Sequence, residues 1–454
     1  MESSTRLGAY TPYLLTLIPI LFGLVISLAG NRNVITRSFT GLSGDKWWMD
    51  VYWVIAMTMF PVGGTIGSTV PLLAPKTMSR KLILNLANVL GILGSVVYYL
   101  SYFLGSYICF VMSRLVHGTT VGVLMSFGIV TYLQMVIPKQ ARIASTFVQP
   151  LINFGVVLSS IMNLNAIIGD RWLISITPLV VTQILMFLVL IILPESPIFY
   201  MQISRDKLKV ARLLGSIRPK NWNSEKEAEH IHIEVSKSAE TEYVSLMSFL
   251  TTNGLKMPIF VVCMVSIGQI FSGVNVLVLY ASKFVEDAKI EPSDVGMVVI
   301  MLVGLIGSII FAVVIPRSGN KPMMVLGHLM MGLSFVIASY LSTFHNLPWV
   351  CLGFLCLYLF FFQSGPGSLP WVIFQSTFEP KYQATAQGLL SLLNWTSNAL
   401  VMAFGVTILE SLGINVLLFF GILNILFAIF FQIFMVETKG KTYSQIIEEY
   451  SNRF

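Results

Sequence analysis

The sequence predicts an all-α membrane protein of twelve transmembrane helices in two six-helix bundles. Three observations carry the prediction: an extreme apolar composition, apolar runs of span length repeated along the chain, and one long polar segment that divides those runs into two sets of six. Hydrophobic residues make up 55% of the 454 and charged residues 11%, with a mean hydropathy of +0.79. A soluble chain carries roughly 25% charged residues, and no soluble globule could hide so much apolar surface. A hydrocarbon core of roughly 30 Å takes about 20 helical residues to cross, and backbone facing lipid must satisfy its own hydrogen bonds. Each apolar run therefore reads as a helix.

In chain order the spans fall near 10–30, 50–73, 82–104, 108–133, 143–166, 172–193, 256–284, 293–315, 322–343, 349–376, 385–409 and 412–435. The first follows directly on Met1 to Ala9, matches the others in length and lacks a small-residue cleavage site, so it is expected to be a retained helix. The chain divides into an N-terminal bundle (1–193), a polar linker (194–255), a C-terminal bundle (256–436) and a tail (437–454). Within the linker, Lys207 to Ile217 has helical composition. The mixed-charge run Glu225 to Glu242 suits either a short helix or a flexible solvated stretch. Cys109, Cys263, Cys351 and Cys356 all fall inside spans, where they behave as small apolar residues.

Basic residues set the expected orientation, because Lys and Arg beside a span are retained on the cytoplasmic side. With the N-terminus inside, the loops holding Lys76, Arg80, Lys81, Lys139, Arg142, Arg317, Lys321 and Lys381 are cytoplasmic, as is the linker. The opposite side carries Arg32, Arg37, Lys46, Arg171, Lys283 and Lys289. The net charge of +7 is thus an orientation signal and calls for no nucleic acid partner. Both termini are expected in the cytoplasm and the protein in the plasma membrane, acting as a monomer.

The two halves echo each other. The basic turn from Pro75 to Lys81 corresponds to that from Pro316 to Lys321, and Arg80 lies 115 residues before Glu195 while Asn320 lies 117 before Glu437. Repeats of this kind mark transporters with a substrate site between two bundles near the midplane. Gly63, Gly64 and Gly67 in the second span, and Gly118 with Gly122 in the fourth, are spaced for close helix contact, and packing alone accounts for them.

Five blocks resemble the sugar porters of the major facilitator superfamily, which include the facilitative glucose transporters. They are Pro194-Glu195-Ser196-Pro197 after the sixth span, Gln269 to Asn275 in the seventh, Gly365 to Trp371 in the tenth, Asn394-Trp395-Thr396-Ser397-Asn398 in the eleventh, and Glu437 to Thr442 in the tail. They stand in family order, so the likeness covers essentially the whole chain. The resemblance implies a central cavity with sugar contacts at Gln149, Gln269, Asn275, Trp371, Trp395 and Asn398, and no cofactor or metal. The chemistry suits a sugar. A carboxamide donates and accepts like a hydroxyl without placing a charge in the membrane, and an indole offers an apolar face with an N–H at its edge. Each residue also has a plainer reading, since amides join helices and indoles pack.

Departures from the family pattern fall into two groups. Near the cavity, Ile270 replaces a glutamine, Gly304 stands where the eighth span is expected to be polar, and Gln363 stands where a tenth-span glutamate is usual. Ser266-Ile267-Gly268 occupies the place of a triplet associated with glucose preference, which leaves the sugar open. At the cytoplasmic side, Lys76, Gln134 or Met135, Ile198, Pro316, Ser376 and Gln383 replace members of a charged gate, and Ser79 stands where a glycine is expected. Arg80, Arg142, Glu195, Arg317 and Glu437 survive, and Arg114 is grouped with them as a structural residue at the cytoplasmic end. A network lacking half its partners should hold that gate less firmly.

The Asn394-Trp395-Thr396 sequon lies inside a span, out of reach of glycosylation. His230 and His232 form a pair too small for a metal site, and no nucleotide loop or catalytic triad stands out to suggest an enzyme. The reading that follows is facilitated diffusion of a hexose such as glucose, with a proton-coupled symporter and a non-transporting sugar sensor as the alternatives.

Overall fold

The computed structural model describes residues 10–453 apart from 29–31, 40–45, 74–77, 169–170, 241–245, 276, 278–292, 315–316, 345–346 and 414. Within these residues eight helices are long and apolar enough to cross a membrane, and Thr11–Ile26, Lys256–Phe271 and Trp349–Gln363 are shorter apolar helices. Pro380–Leu412 completes the twelve. The chain is a multi-pass membrane protein of two six-helix bundles. The expected seventh span, 256–284, is described as far as Asn275 and at Leu277; its remainder lies outside the described residues, as do Lys76 and Pro316.

Local sequence fixes where the helices begin. Ser79 caps Arg80–Phe103, its hydroxyl accepting from Leu82 N at 3.0 Å. Ser106 does the same for the fourth span, and Gly105 makes the turn between the two at φ +56°. Proline occupies the first turn of the sixth and tenth spans, where its missing N–H is not needed.

Glycine decides how closely the helices approach. A Cβ on Gly63 would stand 2.1 Å from the Leu115 carbonyl oxygen, and one on Gly118 2.0 Å from that of Phe60, so spans two and four meet backbone to backbone. Gly23 and Gly155 serve spans one and five in the same way. The bundles join where span two packs on span eleven and span five on span eight.

Spans one and six open with 3-10 turns, Thr11–Thr16 and Trp172–Ile176, and three further spans depart from a plain α-helix along their length. The fourth carries a π-helical turn at Leu124–Gly128, a feature frequent at functional sites. The seventh breaks at Ser272 and Gly273, where φ is +94°. The tenth breaks between Gln363 and Pro370.

The linker folds into helices Pro197–Ser204, Lys207–Ile217, Ser224–Glu240 and Leu246–Thr251. The ambiguous charged run is therefore helical over Ser224–Glu240. Val210, Leu214 and Ile217 recur at helical spacing and are buried in one cluster with the N-terminal bundle. Asp206 caps the second of these helices, and the backbone N–H groups of Lys209 and Leu208 hold its carboxyl below the usual carboxylate range. The tail forms a helix, Tyr443–Arg453, seated through Ile446 and Tyr450. Burial pushes the Tyr450 hydroxyl up to about 12, and that oxygen accepts from Val436 N at 3.3 Å.

Candidate functional site between the halves

The fifth span presents Gln149 and, one turn later, Asn153 to the C-terminal half. Gln149 Nε2 donates to Gln363 Oε1 at 3.0 Å, and Gln363 Nε2 donates to Asn153 Oδ1 at 3.1 Å. Asn153 Nδ2 reaches the Gly304 carbonyl at 3.3 Å. Trp371 Nε1 donates to Gln149 Oε1 at 2.9 Å. The break in the tenth span is what aims Gln363 and Trp371 at the same partner, one from the end of the first half-helix and one from the start of the second.

A second set lies within the C-terminal half. Gln269 Nε2 donates to the Gly367 carbonyl at 2.8 Å, a group freed by the break in the tenth span, while Gln269 Oε1 accepts from Asn394 Nδ2 at 2.6 Å. One turn further along the eleventh span, Asn398 Oδ1 accepts from Asn275 Nδ2 at 3.3 Å. Trp395 is buried, 5.3 Å from the Phe22 ring and 5.4 Å from that of Phe60, with Gly64 beneath it. Gln269, Trp371, Asn394 and Trp395 line one cavity with Phe22 and Met125. At about 30 Å³ it holds about one water. Toward the linker side a wider vestibule of about 540 Å³ lies between the halves, lined by Gln134 and Ser145 from one and by Phe374, Ser376 and Lys441 from the other.

Of the seven expected residues, Gln149, Gln363 and Trp371 share one hydrogen-bonded set, Gln269 bonds Asn394 in a second and Asn275 bonds Asn398 in a third, while Trp395 makes ring contacts; Gln269, Trp371 and Trp395 line the cavity. Asn153 and Asn394 were missed. Asn394 shares a helix face with Asn398, an i, i+4 spacing that could have flagged it. Asn153 stands in the same relation to Gln149.

At the linker side the surviving acids act as helix caps. Glu195 accepts from the Ser79 hydroxyl and from Lys81 N (3.4 Å) at the start of the third span. Glu437 accepts from Asn320 N at 2.9 Å and Lys321 N at 3.1 Å at the start of the ninth. The repeat in the sequence is this pair of carboxylates at equivalent positive helix ends. Arg80 donates to Gln134, which identifies Gln134 rather than the buried Met135 as the occupant of the fourth-span acid position. Arg317 is exposed, and the Arg142 side chain lies outside the described residues.

Arg114 is not at this end. Its Nη1 donates to the Val25 carbonyl at 2.9 Å and its guanidinium lies 4.9 Å over the Phe60 ring, at the far end of the first span. The reason is simple geometry: the fourth span starts at Tyr107, so Arg114 is two turns in and about 30 Å from Gln134 at 1.5 Å per residue. The linker supplies a residue that the sequence did not reveal, the buried Arg218. It pairs with Glu227 at 2.8 Å and donates to the Met135 carbonyl at 2.6 Å, while Trp222 Nε1 donates to Glu227 at 2.5 Å.

Against known proteins, a family model described as "Sugar (and other) transporter" matches residues 20–450. Among curated relatives, facilitated glucose transporter member 2 of Gallus gallus is 26% identical over 88% of this chain and 76% of its own, and member 7 of Homo sapiens is 25% identical over 93% and 84%. The proton:xylose symporter XylE bound to 6-bromo-6-deoxy-D-glucose superposes with a TM-score of 0.82 at 19% identity, covering 99% of this chain and 100% of that one. The inward-open conformation of XylE from E. coli gives 0.76 at 20%, covering 96% and 98%. With a family match over nearly its full length, the chain belongs to the sugar transporter family.

Proposed function

We propose that the protein is a facilitative uniporter of a hexose such as glucose. Sugar binds between the halves at Gln149, Gln269, Asn275, Gln363, Trp371, Trp395 and Asn398, and the halves rock to expose that site to either side in turn. The observation that carries this reading is the neutral polar joint in the membrane. Its partners are carboxamides and an indole N–H, which a sugar hydroxyl can replace bond for bond without uncovering a charge.

The relatives named as facilitated glucose transporters support uniport. The proton:xylose symporter sustains symport as the second reading. Against symport stand Gln363 in place of an acid and Arg114, which is met by a carbonyl and a ring. Arg80, Arg142, Glu195, Arg317 and Glu437 belong to a gate on the cytoplasmic side, which is also the side of the linker, the vestibule and both termini. The plasma membrane is the expected site, with residues 1–193 and 256–436 as the moving halves of a monomer.

The test is uptake of labelled hexoses and pentoses by cells lacking their own hexose transporters. Saturable uptake of at least one hexose, competed by unlabelled sugar, is expected. Uptake no greater than in untransfected cells, with the protein at the surface, would leave the sensor reading in its place.

A further inference from the structure

Asn153 lies outside the set that the family pattern marks, yet it is the centre of the polar joint. It is 5% exposed, one turn beyond Gln149. Its Oδ1 accepts from Gln363 Nε2 at 3.1 Å and from Gln149 Nε2 at 3.4 Å, and its Nδ2 donates to the Gly304 carbonyl at 3.3 Å. One carboxamide thus touches the fifth, eighth and tenth spans, and so both halves. The eighth span, expected to be polar at this level, has Gly304, which offers only backbone.

We propose that Asn153 is a sugar-binding and specificity-determining residue, its carboxamide making the hydroxyl contact that the eighth span does not supply. The proposal rests on the hexose reading above. In the sugar-free protein the amides satisfy one another, because an unpaired polar group at this depth is costly. A sugar hydroxyl donates and accepts through one atom, so it can take the place of a bond from Gln363 to Asn153 while leaving neither amide unpaired. Gln149 bonds Gln363, Asn153 and Trp371, and Gln363 bonds the other two amides, but of the three it is Asn153 that also bonds the eighth span. With one methylene between backbone and amide, it also holds its bonding direction more narrowly than a glutamine does. A site that hydrogen-bonds a hydroxyl in this way rejects the analogue lacking it, since the amide is then stranded.

The experiment compares wild type with Asn153→Ala, Asn153→Ser and the double variant Asn153→Ala/Gly304→Asn. Uptake of the transported hexose and each of its monodeoxy derivatives is measured and normalised to surface protein. An added Cβ at Gly304 meets Leu359 at 3.2 Å and Gln363 Cγ at 3.5 Å, contacts with side chains that a small shift relieves, so the position admits a side chain beside Gln363.

Wild type should discriminate by about tenfold or more against one monodeoxy sugar. Asn153→Ala should raise KM for the parent hexose by about 3- to 10-fold, the range for one lost hydrogen bond, and should erase that discrimination. Asn153→Ser should fall between, and the double variant should recover most of the loss. A parent KM and a deoxy-sugar ranking unchanged in both single variants would overturn the proposal, as would a fall in maximal rate equal for every sugar, the mark of a purely structural residue. Absence of hexose uptake by wild type overturns the hexose reading and this one with it, and is visible in the wild-type arm alone.

Discussion

Residue by residue, the cavity was legible where chemistry and family pattern coincide. Amides and indoles at membrane depth are expensive, which is why Gln149, Gln269 and Trp371 stand out in an apolar sequence. Their partners were not legible. Nothing in the run Gln149 to Asn153 says that the second amide will cross to Gly304, because that contact joins residues 151 apart. Trp371 offers the sharpest test at this scale, since its N–H is already engaged with Gln149. Trp371→Phe keeps an aromatic face and loses one hydrogen bond, so KM should rise about 2- to 10-fold with the maximal rate preserved. Trp371→Ala removes the face as well, a loss of about 3–5 kcal/mol for a packed aromatic, and should lower kcat/KM at least about 100-fold. Wild-type kinetics in both the Phe and the Ala variant, at equal surface levels, would remove Trp371 from the binding site.

At the scale of elements, the sequence placed the spans well because apolar length is a strong signal in lipid, but it could not tell how the linker sits. Charge patterning alone leaves a run such as Glu225 to Glu242 undecided, whereas the packing shows why it is ordered. The Arg218–Glu227 pair ties two linker helices to the end of the fourth span, where the last carbonyls of that helix need donors. Breaking a buried pair strands the remaining charge, at about 3–5 kcal/mol. Arg218→Ala should therefore lower the melting temperature of the purified protein and expose the segment 207–240 to protease. Adding Glu227→Gln should restore part of the loss by removing the stranded carboxylate. Melting and proteolysis unchanged in Arg218→Ala would mean that the linker is held by its apolar contacts alone.

For the whole molecule, the two-fold repeat in the sequence has its physical counterpart in Glu195 and Glu437, each closing the start of the third helix of its half. The gate was harder to read, because counting absent charges overlooks neutral substitutes such as Gln134 beside Arg80, or Ser376 beside Thr438 at 3.1 Å. The same whole-chain view decides how transport should be driven. A coupled carrier needs a group that takes up and releases a proton within the alternating cavity, ordinarily a buried carboxylate. None of the 21 Asp and Glu residues falls in the middle of a span. His117 bonds Ser95 at 3.1 Å and His328 bonds Asn424 at 3.0 Å, each inside its own bundle and away from the cavity-lining set. Neither faces the path. Uptake should then follow the sugar gradient alone and stop when internal and external concentrations match, at pH 6 as at pH 8. Adding a protonophore should leave that plateau unmoved, and sugar should evoke no inward current in a voltage-clamped cell. Accumulation above the external concentration that a protonophore abolishes would replace uniport by symport, and His117→Gln and His328→Gln would then show which histidine carries the proton.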